Sequence, residues 1–302
     1  PEPAAVRRLV ADLREIVGRA DAPILVDQEG GRVQRLKPPY WRAAPPASAF
    51  GSLARRDRAQ AEEAARLNAR LIAAELYDLG ITVNCAPVLD APQADAHGVI
   101  GDRAFADDPD IVAALGMAVA VGLFQGGVLP VIKHIPGHGR ARADSHQELP
   151  VVGADAETLA AVDFRPFRDL HRMPWAMSAH VVYRALDHEN PATTSAEVVA
   201  ETIRSAIGFD GVLVSDDIGM KALSGTFGER TAAALAAGCD VVLHCSGDMG
   251  EMEAVAAAAG SVRGDSAKRL QRGEGMRQEP QDFDPAEALA RLDNAMAGAA
   301  AS

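Results

Sequence analysis

Short apolar runs alternate with amphipathic stretches along this chain, and the alternation predicts an element order. "PILVDQEGG" is an apolar run that stops at acid and glycine, so a strand ends near Asp27. A helix follows from about Asp57 to Leu79, with Ala64, Leu67, Leu71 and Ala74 on one face and Gly80 placed to end it. "ITVNCAPVLD" reads as the next strand, residues 109–124 as a helix, and "LPVIKH" as a third strand. Residues 155–171 read as helix and "PWAMSAHVVY" as strand. Ser195 is placed to cap a helix in which Val199, Ile203 and Ile207 recur every fourth residue, with Gly208 beyond its end. "GVLVSDD" is a strand, residues 229–237 a helix, and "CDVVLHC" the sixth strand. The remainder is expected to be helical apart from a polar loop near residues 260–284.

Strands separated by helices imply parallel βαβ units, and nearly unbroken apolar runs fit strands covered on both faces. Polar residues gather after nearly every strand. A doubly wound sheet would concentrate them at one switch point, whereas a barrel collects them from many strand ends. The expected fold is therefore an α/β barrel of the TIM (β/α)8 type, as one domain over residues 1–302, although only six of its eight strands are visible. No GxGxxG or phosphate-loop motif occurs, so no nucleotide cofactor is expected.

Composition narrows the partners. A formal net charge of −12 disfavours nucleic acid. The uncharged stretch 111–132 is long enough for a membrane check, but Gln125, Gly126, Gly127 and Pro130 interrupt it. It reads instead as a buried helix to about Phe124, a glycine turn and a buried strand, and a soluble, cytoplasmic monomer is expected, with neither membrane nor nucleic acid as partner. Cys85, Cys239 and Cys245 form no CxxC pair, so neither a disulfide framework nor a structural zinc site is expected. Cys85 and Cys239 belong to apolar runs and read as core.

Three segments carry candidate chemistry. In "VIKHIPGHGRARADSHQELP" a strand delivers Lys133 and His134 to a rim, and Pro136, Gly137 and Gly139 then prevent a helix. Asp144 and His146 stand two apart, and a carboxylate beside an imidazole fixes its tautomer and favours its charged form, which suits proton shuttling. A surface Asp-x-His in a polar loop is the plainer alternative. In "GVLVSDDIGM", Asp216 and Asp217 lie just past a buried strand, where a carboxylate can act as nucleophile or cap the following turn. In "VDQEGGRVQRL", Asp27 and Arg35 supply acceptors and donors suited to sugar hydroxyls, or simply solvated turn charges. Arg103 occupies a similar loop, and Asp90 is suited to bracing that region rather than meeting substrate.

Together, "VDQEGGRVQR", "APVLD", "KHIPGHG" with "DSH", "AHVVY" and "GVLVSDD" resemble, in order over residues 23–217, the β-N-acetylglucosaminidases of glycoside hydrolase family 3, bacterial enzymes of cell-wall recycling. The resemblance implies a retaining exo-β-N-acetylglucosaminidase acting on N-acetylglucosaminyl-1,6-anhydromuramyl peptides, with no cofactor or metal. It implies Asp216 as nucleophile, His146 as acid/base and Asp144 as its orienting partner. Asp27, Arg35, Arg103, Lys133 and His134 match substrate-binding positions. Ile135 stands where the family usually has phenylalanine. The family also carries two strands ahead of "VDQEGG", so the expectation is a barrel whose first two strands are missing upstream of residue 1. Two rival readings are a metal-dependent barrel hydrolase, with His134, His138, His146 and Asp144 as ligands, and a non-catalytic sugar-binding barrel.

Overall fold

A computed structural model describes residues 2–300 of the chain. Six parallel strands form one curled sheet: β1 (Leu25–Val26), β2 (Val83–Asn84), β3 (Leu129–Ile135), β4 (Trp175–Ser178), β5 (Val212–Asp217) and β6 (Val241–Leu243). They are the six strands expected, paired in sequence order, with β1 and β6 at the edges of the described sheet. Pairings such as Val26 with Asn84, Val131 with Trp175 and Asp217 with Leu243 keep every strand pointing the same way. All the strand C-termini therefore open on one face, where a barrel carries its site.

Burial on two faces explains the sequence pattern. The concave face packs Val83, Leu129, Val131, Trp175, Met177, Val212 and Val214 against one another. The opposite face sets Ile132, Ala176 and Leu213 into the larger core shared with the helices. Consecutive residues of one strand thus enter two different cores, and no polar alternation survives.

The helices begin and end where their local chemistry dictates. The Asp57 side chain accepts from the Gln60 N–H to start the helix Arg58–Asp78, and Asp108 does the same for Asp110 ahead of Pro109–Gln125. The Ser195 hydroxyl accepts from the Val198 N–H, as its position suggests, at the head of Val198–Ala206. Thr226 and Glu229 form a reciprocal capping box on Phe227–Ala237. The apolar stretch 111–132 resolves as expected into helix, glycine turn and strand. No described helix is long and apolar enough to cross a membrane.

Three expectations need correction. Residues 155–171 are not one regular helix: Ala156–Thr158 leads into a widened stretch, Leu159–Asp163, and a short helix, Arg165–Asp169. Pro166 lacks the N–H that a continuous helix would use. The polar region 260–284 contains a helix, Gly264–Glu274, which tertiary ion pairs hold down: Arg269 on Asp240 at 3.0 Å and Arg272 on Asp210 at 2.8 Å. The hydrophobic pattern also leaves two helices unmarked, Pro3–Val17 and Ala47–Ala54.

Candidate active site

A cavity of about 170 Å³ opens at the C-terminal ends of the strands, lined by Asp27, Arg35, Arg103, Lys133, His134, His146 and Asp216, with Met177, Met220 and Leu243 as apolar wall. The segments carrying these side chains are far apart in sequence, and every strand from β3 to β6 contributes at or near its end. Of the catalytic and substrate-binding residues expected from sequence, Asp144 alone stands back from the cavity wall, and it does so in contact with His146.

The chain after β1 folds into a tight hairpin, Gln28–Gly30 against Val33–Gln34. Gly30, at φ +102°, lies so close to the Pro45 carbonyl that a Cβ would sit 2.5 Å from its oxygen. Buried Gln28 accepts from the Arg35 and Leu36 N–H groups at 2.9 and 3.0 Å, which fixes the far arm of the hairpin. Asp27 and Arg35 are thereby brought into an ion pair at 3.2 Å.

Lys133 is the hub of the cationic side. Its ammonium reaches Asp27 at 3.0 Å and Glu29 at 2.6 Å, and Glu29 also grips the Arg103 guanidinium with two 2.9 Å bonds. Burial alone would strip the charge from Lys133, but Glu29 and Asp27 hold its pKa above the ordinary value. Burial would likewise raise both carboxyls, and Lys133 first, then the arginines, holds them below the usual range. Glu29 did not figure among the expected site residues. The signal for it was available: in an extended strand, residues 27 and 29 point to the same side.

Asp90 does what its position after β2 suggests. Wholly buried, it accepts the backbone N–H of His134 at 3.2 Å and of His138 at 2.7 Å, and its second oxygen meets His134 Nδ1 at 2.7 Å. Burial opposes its charge, yet His134 and His138 hold the pKa down, to about 2. The "KHIPGH" turn is thus clamped on a buried anion. His138 also lines the cavity, but its Nδ1 is buried without a partner, and burial pushes its pKa down to about 4. A neutral ring of this kind is a poor acid.

His146 has the opposite environment. Its ring is 58 % exposed on the loop past Gly139, and Nδ1 lies 2.8 Å from Asp144 Oδ1. The same oxygen accepts the His146 N–H at 2.9 Å. Burial acts to raise the Asp144 carboxyl, but the bonds from His146 hold it below the usual range, so an anion faces the imidazole. With Nδ1 engaged, Nε2 is the nitrogen free for proton exchange.

Asp216 is buried where His146 is exposed. It ends β5, is 8 % exposed and accepts the Asp217 N–H at 2.8 Å. Burial would raise its carboxyl. The His134 imidazole, the Asp217 N–H and Lys133 outweigh this and hold it ionised below the usual range. Both acids of "SDD" line the cavity, but Asp217 accepts from Gly219 N–H at 2.9 Å and Cys245 N–H at 3.2 Å and braces the turn, whereas Asp216 accepts only the Asp217 N–H among the described residues.

Cys85 and Cys239 are buried as expected, and Cys245 stands on the cavity wall. His134, His138, His146 and Asp144 do not converge as a ligand set, and among the described residues no three His, Cys, Asp or Glu side chains form a metal-holding group.

Residues 4–271 match the glycosyl hydrolase family 3 N-terminal domain. A β-hexosaminidase of Alkalilimnicola ehrlichii is 40% identical over 243 residues, which span 79% of this chain and 69% of that protein. One of Aromatoleum aromaticum is 38% identical over 268 residues, 87% of this chain and 73% of that one. Among solved structures, a family 3 β-N-acetylglucosaminidase of a Paenibacillus strain superposes with TM-score 0.86 at 30% identity, covering 98% of this chain and 61% of its own. NagZ of Neisseria gonorrhoeae in complex with N-trifluoroacetyl-D-glucosamine superposes with TM-score 0.82 at 33% identity, over 99% of this chain and 87% of that one. A TIM-barrel-like sheet, a family match over most of the chain and relatives named β-hexosaminidase lead to a single assignment: the chain belongs to glycosyl hydrolase family 3, among its β-hexosaminidases.

Proposed function

We propose that the chain is the barrel domain of a retaining exo-β-N-acetylglucosaminidase that removes terminal N-acetylglucosamine from peptidoglycan fragments of the N-acetylglucosaminyl-1,6-anhydromuramyl peptide type. The observation that carries the mechanism is the pairing in one cavity of a buried, ionised Asp216 with an exposed imidazole, His146, oriented by Asp144. Asp216 attacks the anomeric carbon while His146 gives its Nε2 proton to the departing oxygen. The C1–O bond breaks and a glycosyl–Asp216 ester forms. His146, now neutral, takes a proton from water as that water attacks the same carbon, and Asp216 leaves as carboxylate. A neutral imidazole in the second role adds no negative charge beside Asp216, where a second carboxylate would raise one pKa of the pair. Asp27, Arg35, Arg103, Lys133 and His134 present the acceptors and donors that hold the sugar. The N-acylated glucosamine held by the Neisseria relative supports the sugar class, and the resemblance to cell-wall recycling enzymes supports the natural substrate.

The experiment is hydrolysis of a chromogenic N-acetylglucosaminide. Asp216→Asn should abolish chromophore release, and His146→Ala should slow turnover ~10²–10⁴-fold while leaving sugar binding largely intact. Mass spectrometry after reaction with a 5-fluoro N-acetylglucosaminyl donor should find one sugar on the peptide containing Asp216. Wild-type rates in both variants, or a sugar attached elsewhere, would rule out these roles.

A further inference from the structure

The motif "AHVVY" supplies a histidine that the mechanism above does not use. His180 lies two residues past β4 and is wholly buried. Its Nε2 stands 3.0 Å from the Asp217 carbonyl oxygen, and its Nδ1 stands 2.8 Å from Thr193 Oγ1. A carbonyl oxygen only accepts, so Nε2 carries the proton. Nδ1 of the neutral ring is then an acceptor, and the Thr193 hydroxyl shares its proton between that nitrogen and the Ala179 carbonyl oxygen at 3.1 Å. The Ser178 hydroxyl, 2.7 Å from Thr193 Oγ1, donates in turn. Burial acts first on the ring and disfavours its charged form despite the nearby Asp216 and Asp217. The Asp217 carbonyl thus selects the Nε2–H tautomer, and Thr193, backed by Ser178, holds the opposite ring nitrogen.

That carbonyl belongs to the residue that holds Asp216. Asp217 is gripped at three places: its carboxylate takes the Gly219 and Cys245 N–H groups, its carbonyl takes His180 and the Met220 N–H at 3.1 Å, and its own N–H reaches Asp216 Oδ1 at 2.8 Å. Turning the backbone about Asp217 would swing that N–H off the Asp216 carboxylate. Once a glycosyl ester forms through the other oxygen, the same N–H faces the ester carbonyl and stabilises charge there as the ester breaks.

We propose that His180 is a positioning residue for glycosyl transfer: its neutral, Nε2-protonated ring, held by Thr193 and Ser178, pins the Asp217 carbonyl so that the Asp217 N–H stays on Asp216 Oδ1 through both steps. The proposal rests on Asp216 being the nucleophile. His180 touches neither substrate nor the reacting atoms and transfers no proton.

The test compares His180→Phe, His180→Gln and Thr193→Val with wild type in steady-state hydrolysis of a chromogenic N-acetylglucosaminide, with melting curves for each variant. The phenylalanine fills the site without a donor, whereas the glutamine amide reaches the Nε2 position and restores one. Because a misplacement of about 1 Å near the reacting atoms can cost ~10²-fold, His180→Phe should lower kcat by about that factor with KM within about threefold. His180→Gln should recover at least tenfold of the loss, and Thr193→Val should fall between it and wild type. If His180→Phe does not fold, the glutamine and valine variants carry the test through the same kcat-against-KM split. The proposal is overturned by kcat within about threefold of wild type in His180→Phe, by losses confined to KM, or by a glutamine variant no better than phenylalanine. A wild-type chain that releases no chromophore overturns the nucleophile assignment and this proposal together, whereas an active wild type with insensitive variants overturns this proposal alone.

Discussion

Lys133 shows how a single residue can be both buried and charged. A lone ammonium would lose its proton on burial, and the side chain stays charged because two carboxylates, Asp27 and Glu29, reach it within 3.0 and 2.6 Å. Glu29 is the more consequential partner, because it also orders Arg103 through two bonds. Removing one partner from a buried ionic cluster costs about 3–5 kcal/mol, since the remaining charges stay unpaired. Glu29→Gln should therefore lower the melting temperature and raise KM for a chromogenic N-acetylglucosaminide about tenfold or more, with a smaller change in kcat. A variant with native KM would show that Arg103 and Lys133 are held by other means. The motif "VDQEGG" made Asp27 legible but not Glu29. A glutamate ahead of two glycines reads as a solvated turn charge until Arg103, remote in sequence, is brought against it.

At the scale of elements, the site is made of loops that brace one another. The loop after β2 and the loop after β3 are zipped by Gln93 N–H on the Gly139 carbonyl at 2.9 Å and His97 N–H on the Ala141 carbonyl at 2.8 Å, and Arg142 pairs with Asp95 at 2.8 Å. Gly139 is the tightest point, where a Cβ would lie 2.2 Å from the Ala91 carbonyl oxygen. Backbone on backbone cannot yield as a side-chain tip can. Gly139→Ala should destabilise the fold by about 1–3 kcal/mol and displace the segment leading to His146, with kcat falling more than KM rises. Gly153→Ala, where a Cβ meets nothing within 4 Å, is the matched control and should leave the melting curve and kinetics near wild type. Equal behaviour of the two variants would remove the loop pairing from the account. The six strands were legible because doubly buried parallel strands are apolar throughout. The loop pairing was not, because backbone hydrogen bonds between irregular segments place no demand on side-chain identity. The helix Gly264–Glu274 was hidden for a related reason: its hold on the sheet is ionic, through Arg269 and Arg272, and polar residues in sequence suggest a loop.

For the molecule as a whole, buried carboxyls set opposing dependences on pH. Asp90 has its folded pKa held to about 2 against an ordinary value near 3.8, so the folded state binds fewer protons. Its stabilisation is present above pH ~4 and is lost as pH falls towards about 2. Asp163 has the reverse sign. Side chain nearly wholly buried, it meets Arg140 at 2.6 Å through one oxygen while the other has no partner. Burial outweighs the arginine and pushes its pKa from 3.8 up to about 6. Between about pH 4 and 6 the folded protein therefore binds more protons than the unfolded chain, and this carboxyl makes stability fall as pH rises through that window. The difference corresponds to roughly 3 kcal/mol at neutral pH, as an order of magnitude. Asp163→Asn keeps an acceptor for Arg140 but cannot ionise, so it escapes the decline. Subtracting the wild-type melting temperature from that of the variant should give a value that increases between pH 4.5 and pH 7.5. Because Asp163 packs against Gly137 in the turn between His134 and His138, the same comparison reports on the ground beneath the site. A difference that stays flat across that range would mean that Asp163 titrates at its ordinary value, and that Arg140 balances the cost of burying it.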